Sequence, residues 1–525
     1  MTAPRLRDAG DSALLLQLEA VIDPAVNARV IAIADAVRDR HLPGVRDVVP
    51  TFRSVAVYVD PLTADLNQVS AALRVAASTP AAPVSGRRHE IPVAYGGEDG
   101  PDLAELAERV GLTPANVINR HAGTEYRVYM LGFQPGFAYM GLVEPAIASP
   151  RRASPRLRVA AGSVGIAGRQ TGIYPNASPG GWQIIGRALE PVFDEDRMPP
   201  ARLAPGDTVV FVPSDADRWD VSPAAAASEA AVRNACMTVL RPGLYTTVQD
   251  SGVWGRQGIG VPVSGAMDRI SHAIANAAVG NPLEAPALEI TVAGPDLRVE
   301  RPIVIAVAGA DGPVTLDGSP IEKQAPVRCQ PGSVLRFGAR LSGARMYLAV
   351  AGGIDRERRY PVRPLVVGQT LGVGGTPAGD ARAITPRRPM PAGGTRLRIL
   401  PGPQHDEVPD GCLDVLCAGR FTVSPQSNRV GYRLTGRAVP SSSGEMISDA
   451  TFPGAIQIPP SGEPILLMAD RQTTGGYPQA AIVISADLPA AGQLAPGDWI
   501  EFTVCSREEA RRALIEQKRM HASAW

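Results

Sequence analysis

At 525 residues the chain exceeds one ordinary domain, and three or four are expected. Its 52 basic and 52 acidic residues cancel, which excludes a whole-molecule field that would draw it to nucleic acid or anionic membrane. No apolar run approaches the roughly 20 residues of a membrane helix, and Met1-Thr2-Ala3-Pro4-Arg5 does not read as a signal peptide. Five scattered cysteines suit a reducing cytoplasm better than a disulfide framework. Lysine occurs only at Lys323 and Lys518, so lysine-dependent chemistry has almost no candidates.

In chain order, residues 1–82 read as a small α/β domain. Val26, Val30, Ile33 and Val37 have helical spacing over Val26 to Arg40, and Ser54 to Val59 alternates like a strand. A new unit, 83–213, begins at Arg88-His89-Glu90-Ile91. It holds a short helix from Leu103 to Val110, then Thr113-Pro114, a cap followed by proline in the first turn. Glycine-rich strand signals follow. An Ala/Ser/Asp-rich linker spans 214–235. Residues 236–375 form a second strand-rich unit with one helix, Met267 to Val279. Ser264 is its expected cap, and Met267, Ile270, Ile274 and Ala278 are its buried stripe. A Pro/Arg/Gly linker covers 376–393. The last unit, 394–525, ends in a charged helix from Arg507 to Lys518.

Two repeats join these units. Leu203-Ala204-Pro205-Gly206-Asp207 and the strand after it match Leu494-Ala495-Pro496-Gly497-Asp498 without a gap, and Gln330-Pro331-Gly332-Ser333 is a weaker third copy. Each is a Pro-Gly turn feeding an alternating strand, which predicts three related β-barrels closed by the same hairpin. Gly168-Arg169-Gln170-Thr171 recurs as Asp470-Arg471-Gln472-Thr473, with Tyr174 and Tyr477 following. The expectation is one strand-and-loop position used in two homologous barrels. Asp470 in place of Gly168 makes the second copy the better candidate for chemistry.

Dense polar and glycine-rich blocks mark the candidate sites. They are Gly132 to Met140 with Gln134, Gly162 to Tyr174, Ser178 to Trp182, Thr247-Val248-Gln249-Asp250, Gly260 to Asp268, Ser427-Asn428-Arg429, and Asp470 to Tyr477. Glycines at this density let backbone N–H groups approach a ligand, though they also serve barrel corners. The helix after Ser264 offers either an anion cradle or an ordinary cap. His121 is the one histidine beside such a block, either a general acid/base or a structural group. There is no Walker A loop, no metal-ligand spacing and no Gly-x-Ser-x-Gly elbow.

Gly132 to Met140, Gly162 to Pro175 and Ser178 to Trp182 resemble the KipI-type family, the B subunit of 5-oxoprolinase. Thr247 to Asp250, Gly260 to Asp268, Ser427 to Arg433 and Asp470 to Pro478 resemble the KipA-type family, the C subunit of the same enzyme. The chain reads as the two fused. Both halves also resemble the carboxyltransferase part of urea carboxylase, in the opposite order. The resemblance implies a mainly β, α+β fold: a small N-terminal α/β domain and three cyclophilin-like β-barrels. One departure is Val253-Trp254-Gly255, where the family usually carries an arginine. The label allophanate hydrolase, common for such chains, is not supported, because Lys323 and Lys518 sit in no Ser-Ser-Lys context.

The resemblance implies an ATP-dependent 5-oxoprolinase component that acts with a separate A subunit, uses ATP with Mg, and forms a homo-oligomer. The catalytic candidates are Asp470, Arg471, Asp250 and His121. Arg169, Arg429 and Arg471 suit phosphate; Gln170, Gln472 and Asn428 suit an amide. Thr171, Tyr174, Gln134, Gln249, Thr473 and Tyr477 complete the binding set. Two alternatives stand: a biotin-dependent carboxyltransferase served by a biotin carrier protein, and a KipI-like histidine kinase inhibitor. Lys518 lies in Gln517-Lys518-Arg519-Met520, not between methionines, so no covalent biotin is expected on this chain.

Overall fold

The computed structural model describes residues 3–80, 86–215, 234–355, 360–385, 388–442 and 446–520. The expected linker 214–235 lies almost wholly outside the described residues.

Strands Arg5–Asp8, Ala13–Gln17, Ser54–Val59 and Val45–Pro50 form an antiparallel sheet in that order, with helices Pro24–Arg38 and Leu66–Ser78. Asp23 starts the first helix by accepting the N–H groups of Ala25 (2.8 Å) and Val26 (3.0 Å), with Pro24 in the first turn. Ser54–Val59 is buried on both faces, not one. Val55, Val57 and Val59 pack with the helices' apolar residues. Ala56 and Tyr58 pack on Phe452, Leu467 and Ile482 of the last barrel. The outward face is covered because this sheet docks on another module.

Two closed seven-stranded barrels follow the same path. In hydrogen-bonding order the first runs Arg88–Tyr95, Gln183–Ala188, Ser163–Ala167, Gln170–Ile173, Ala138–Gly141, Glu125–Leu131 and Thr208–Pro213. The last runs Gly394–Pro401, Gln479–Val483, Ala455–Gln457, Ile465–Leu467, Gly431–Thr435, Arg420–Val423 and Trp499–Val504. In each, the final strand pairs parallel with the first. The Pro-Gly hairpin feeds that closing strand in both. Gly206 and Gly497 take φ of +98° and +91°, and the aspartate after each accepts the N–H of Ala204 (2.9 Å) or Ala495 (2.8 Å).

The third hairpin copy keeps its left-handed glycine, Gly332 at φ +86°. Its strand Val334–Phe337 lies between Val314–Leu316 and Asp296–Val299 in a six-stranded sheet. A five-stranded sheet faces it, and Leu297, Leu335, Ile305 and Leu348 from the two sheets share one core. Helix Arg269–Ala278 packs on the five-stranded sheet.

The Arg-Gln-Thr repeat does not occupy equivalent places. Gly168-Arg169 forms the tight turn between barrel strands Ser163–Ala167 and Gln170–Ile173, with Gly168 at φ +57°. Asp470-Arg471 instead follows the strand Ile465–Leu467, the counterpart of Gln170–Ile173. Thr474–Gly475 then pairs with Asp449–Ala450 outside the barrel. That mirrors the first barrel's outer pair, Ser178–Gly180 on Arg156–Val159. The left-handed hairpin turn calls for glycine, whereas Asp470 is not left-handed.

Gly497 has open space where a Cβ would point, so its cost on substitution is conformational alone. Gly497→Ala is expected to lower unfolding free energy by about 1 kcal/mol. Gly419→Ala, also with open space but an ordinary φ, should be neutral or slightly stabilising. Urea denaturation of both variants checks the pair.

Candidate active site

Where the strand Ile465–Leu467 ends, the chain meets a buried charge network. Asp470 donates its backbone N–H to Arg429 O at 2.9 Å. Arg429 returns two bonds to the Asp470 carboxylate, Nε to Oδ2 at 2.8 Å and Nη2 to Oδ1 at 2.9 Å. Its Nη2 also reaches Gly265 O at 2.7 Å, and Nη1 donates to Glu289. Glu289, fully buried on the strand Ala287–Thr291, accepts from Met267 N–H and Tyr347 O–H, each at 2.8 Å. Burial alone would weaken the Arg429 cation, but Asp470 and Glu289 outweigh it and hold its pKa above the ordinary arginine value. Ser264 completes the set: its Oγ donates to Asp470 Oδ1 at 2.5 Å from a left-handed backbone at φ +57°. A non-glycine residue held there is strained, as functional turns often are.

Ser264 therefore does not cap the following helix. Asp268 does, accepting the N–H groups of Ile270 (3.1 Å) and Ser271 (3.2 Å). Arg388 donates to its carboxylate at 3.0 and 2.6 Å and Gln493 at 2.7 Å. The helix N-terminus is filled by the chain's own carboxylate, which decides for the cap over the anion cradle.

The second gathering is the seam where the first barrel meets the middle unit and the last barrel. Phe133 N–H donates to Thr474 Oγ1 at 3.0 Å, and an alanine Cβ at Gly132 would stand 2.1 Å from that oxygen. Gly136 N–H donates to Ile259 O at 2.9 Å. Gly260, at φ +81°, lies so close that an added Cβ would be 2.3 Å from Gln134 O. Glycine is required at Gly260 by the approach of the Gln134 backbone and at Gly132 by the packed Thr474 side chain. The Tyr139 phenol sits beside the side chains of Thr474 and Ser448, and burial raises its pKa. Behind it Phe137, Tyr139, Tyr174 and Trp182 pack edge to face at 4.9–6.5 Å. Burial pushes Tyr174 up to about 12. Gln134 Nε2 reaches Ser178 Oγ at 3.3 Å.

The remaining candidates are dispersed. Arg169, Gln472 and Tyr477 are exposed, and Gln170 is half-buried at the hairpin. Asn428 is only partly covered, and its Oδ1 closes a turn through Val430 N–H at 2.8 Å. Thr473 is buried with an Oγ1 that has no partner among the described residues. Asp250 accepts Gly252 N–H at 2.8 Å, beside Gly265. Gln249 is buried and donates to Thr247 at 3.0 Å. Arg471 points away from Asp470: its Nη2 donates to Gln257 Oε1 at 2.6 Å and its guanidinium lies 5.8 Å from the Tyr58 ring.

His121 is buried in the first barrel's core, stacked on Phe211 at 4.6 Å. It bonds Tyr95 O–H (2.7 Å) and Thr171 Oγ1 (2.9 Å). The structure gives it and Thr171 a core setting, away from the network and the seam. Sequence reading did not single out Glu289 or Tyr347, and it held Tyr139 and Thr474 only as members of larger blocks. Glu289 left one signal, a charge between Leu288 and Ile290 in an apolar strand.

Burial lowers the His121 pKa to about 3 from an ordinary 6.5. The unfolded chain thus binds this proton first. The stability it confers is complete above pH 6.5 and falls by about 1.4 kcal/mol per pH unit toward pH 3. His121→Asn is expected to flatten the loss between pH 7 and 5 by about 2 kcal/mol; denaturant titrations at the two pH values measure it. Glu289→Gln removes a buried partner of Arg429 and should cost about 3 kcal/mol, read as a lowered urea midpoint at unchanged slope.

The chain matches the family models described as carboxyltransferase domain, subdomain C and D, over residues 4–203, and subdomain A and B, over residues 259–504. It is 37% identical to the C subunit of 5-oxoprolinase from Escherichia coli K12 over 306 residues, covering 54% of this chain and 96% of that protein. It is 42% identical to the B subunit of 5-oxoprolinase from Escherichia coli O157:H7 over 205 residues, covering 39% of this chain and 93% of that protein. The crystal structure of TTHA0988 superposes with a TM-score of 0.83 at 37% identity, covering 94% of this chain and 99% of that one.

Proposed function

The chain belongs to the family of the B and C subunits of 5-oxoprolinase, joined in one polypeptide, and from that membership we propose that it is the fused B/C component of an ATP-dependent 5-oxoprolinase. With a separate A subunit it converts 5-oxoproline, ATP and water to glutamate, ADP and phosphate.

The observation that carries this reading is the seam. The Gly132–Gly136 loop comes from the B-like half, while Ile259–Gly260 and Thr474 come from the C-like half, and backbone hydrogen bonds lock them together. Contacts that lock the two halves together account for two subunits working as one.

Opening a lactam needs donors for the oxygen that gains charge and a carboxylate fixed near the ring. Asp470 is fixed by three donor atoms on Arg429 and Ser264. Its Oδ1 already accepts two hydrogen bonds, whereas Oδ2 accepts one and keeps acceptor capacity for a lactam N–H or a water. Arg169 uses only Nε, toward Val143 O at 3.3 Å, so its terminal nitrogens are free for phosphate oxygens. ATP, when bound, supplies the phosphoryl group that activates the lactam carbonyl. Among the described residues no group of three or more His, Cys, Asp or Glu is placed to hold a metal ion, and no step is assigned to Mg.

The matched carboxyltransferase models favour a second reading, transfer of a carboxyl group from biotin on another protein to an amide. The same Asp470–Arg429 pair would then hold the amide.

The purified chain mixed with an A subunit, 5-oxoproline and Mg-ATP is expected to release glutamate, and to release none when any one is left out. Asp470→Asn should lower the rate about 10²-fold or more while the protein stays folded by circular dichroism. No ATP-dependent glutamate from the complete mixture overturns the proposal; carboxyl transfer from free carboxybiotin to urea would favour the second reading.

A further inference from the structure

Asp470 and Arg471 are neighbours in sequence but serve different places. Asp470 faces the charge network. Arg471 lines a cavity of about 290 Å³ that none of Asp470, Arg429 or the barrel-seam residues touches. Three modules wall it: Arg46 and Asp60 from the N-terminal domain, Trp254 and Arg269 from the middle unit, and Leu467 and Arg471 from the last barrel.

Its charge is unbalanced. Arg46 pairs with Asp60 at 2.7 Å and lies 5.1 Å from the Trp254 ring centroid. Arg471, only 2% exposed, is engaged by the neutral amide of Gln257. Arg269 is exposed and makes no hydrogen bond or ion pair among the described residues. Three guanidinium groups thus line the cavity with one carboxylate, Asp60. The rest of the wall is mainly apolar, with Leu62, Met267, Ile270, Leu467 and Leu488.

An anion with an apolar body fits such a place. The volume sits at the bottom of the roughly 300–1,000 Å³ range of small-molecule sites, so a nucleotide is too large. Inorganic phosphate would leave the apolar wall unfilled. We propose that this cavity binds a small cyclic carboxylate, its anion held by Arg269 with Arg471 behind it and its ring set among Leu62, Met267 and Leu467. Bound there, it lies against Ser264 and the Ala469–Arg471 turn, the same segment that fixes Asp470. The inference rests on the 5-oxoprolinase reading for the ring of the ligand and for the choice of probe.

The test is calorimetric titration of the full chain with 5-oxoproline, without nucleotide or A subunit, so turnover can fail while this result stands. The wild-type chain is expected to bind. Arg269→Met should weaken binding at least tenfold with an unchanged unfolding midpoint, because the side chain is exposed. Arg269→Lys should retain more affinity than Arg269→Met. 5-Oxoprolinamide, which lacks the carboxylate, should bind at least tenfold more weakly. Equal binding by wild type and Arg269→Met overturns the proposal, as does equal binding of the amide. So does inorganic phosphate binding as tightly as 5-oxoproline, or no binding of 5-oxoproline at millimolar concentration.

Discussion

Arg429 is the group on which the arrangement depends. It is a buried cation held between Asp470 of its own barrel and Glu289 of the middle unit, with Gly265 O as a further acceptor. Taking a guanidinium out of water is costly, and two carboxylates at bonding distance offset that cost. The geometry is therefore strict. Arg345 Nε also lies 3.6 Å from Glu289, so removing either carboxylate leaves two guanidinium groups with one carboxylate, and removing Arg429 leaves two carboxylates with one guanidinium. The same bonds set the 264–268 turn, because Ser264 and Gly265 are both held to Asp470 or Arg429. Asp268 then begins the helix that packs on the five-stranded sheet.

A second chain of buried polar groups docks the N-terminal domain. Asp47 accepts Gly255 N–H and Gln257 N–H, each at 3.1 Å, and the Gln257 amide at 3.2 Å. Gln257 in turn accepts from Arg471. Nearby, Asp449 of the last barrel, 1% exposed, accepts from Ser54, and from Thr51 at 3.4 Å. Residues 470 and 471 thus anchor opposite ties, one to the middle unit and one to the N-terminal sheet. This is how a short turn ties the N-terminal domain, the middle unit and the last barrel together. The tie also explains why Ser54–Val59 is buried on both faces.

Much of this was legible in the sequence because local chemistry dictated it. The Pro-Gly-Asp turn fixes a left-handed glycine and a self-capping aspartate, so Gly206 and Gly497 announced two closing strands. Thr113-Pro114 announced a helix start, and Thr113 Oγ1 accepts Asn116 N–H at 3.2 Å as expected. The Asp470 and Arg429 blocks were visible as dense polar stretches. What the sequence hid depends on long-range partners. Ser264 looked like a cap because serine usually is one, but Asp268 lies nearer the helix and Asp470, 206 residues away, claims the hydroxyl. His121 stayed open between an acid/base and a structural role because its burial under Phe211 is a tertiary fact. The Arg-Gln-Thr repeat looked like one position used twice. Only strand order shows that one copy turns a hairpin while the other leaves the barrel. Glu289 and Arg269 matter through what surrounds them, and no spacing encodes that.

The account stands on Asp470 being held by Arg429 as one unit. The most direct measurement is a double-mutant cycle of Arg429→Met and Asp470→Asn, read by urea unfolding. The account predicts a coupling energy of about 2 kcal/mol or more, with the double variant much less destabilised than the sum of the single ones. Effects that add to within about 0.5 kcal/mol would contradict it.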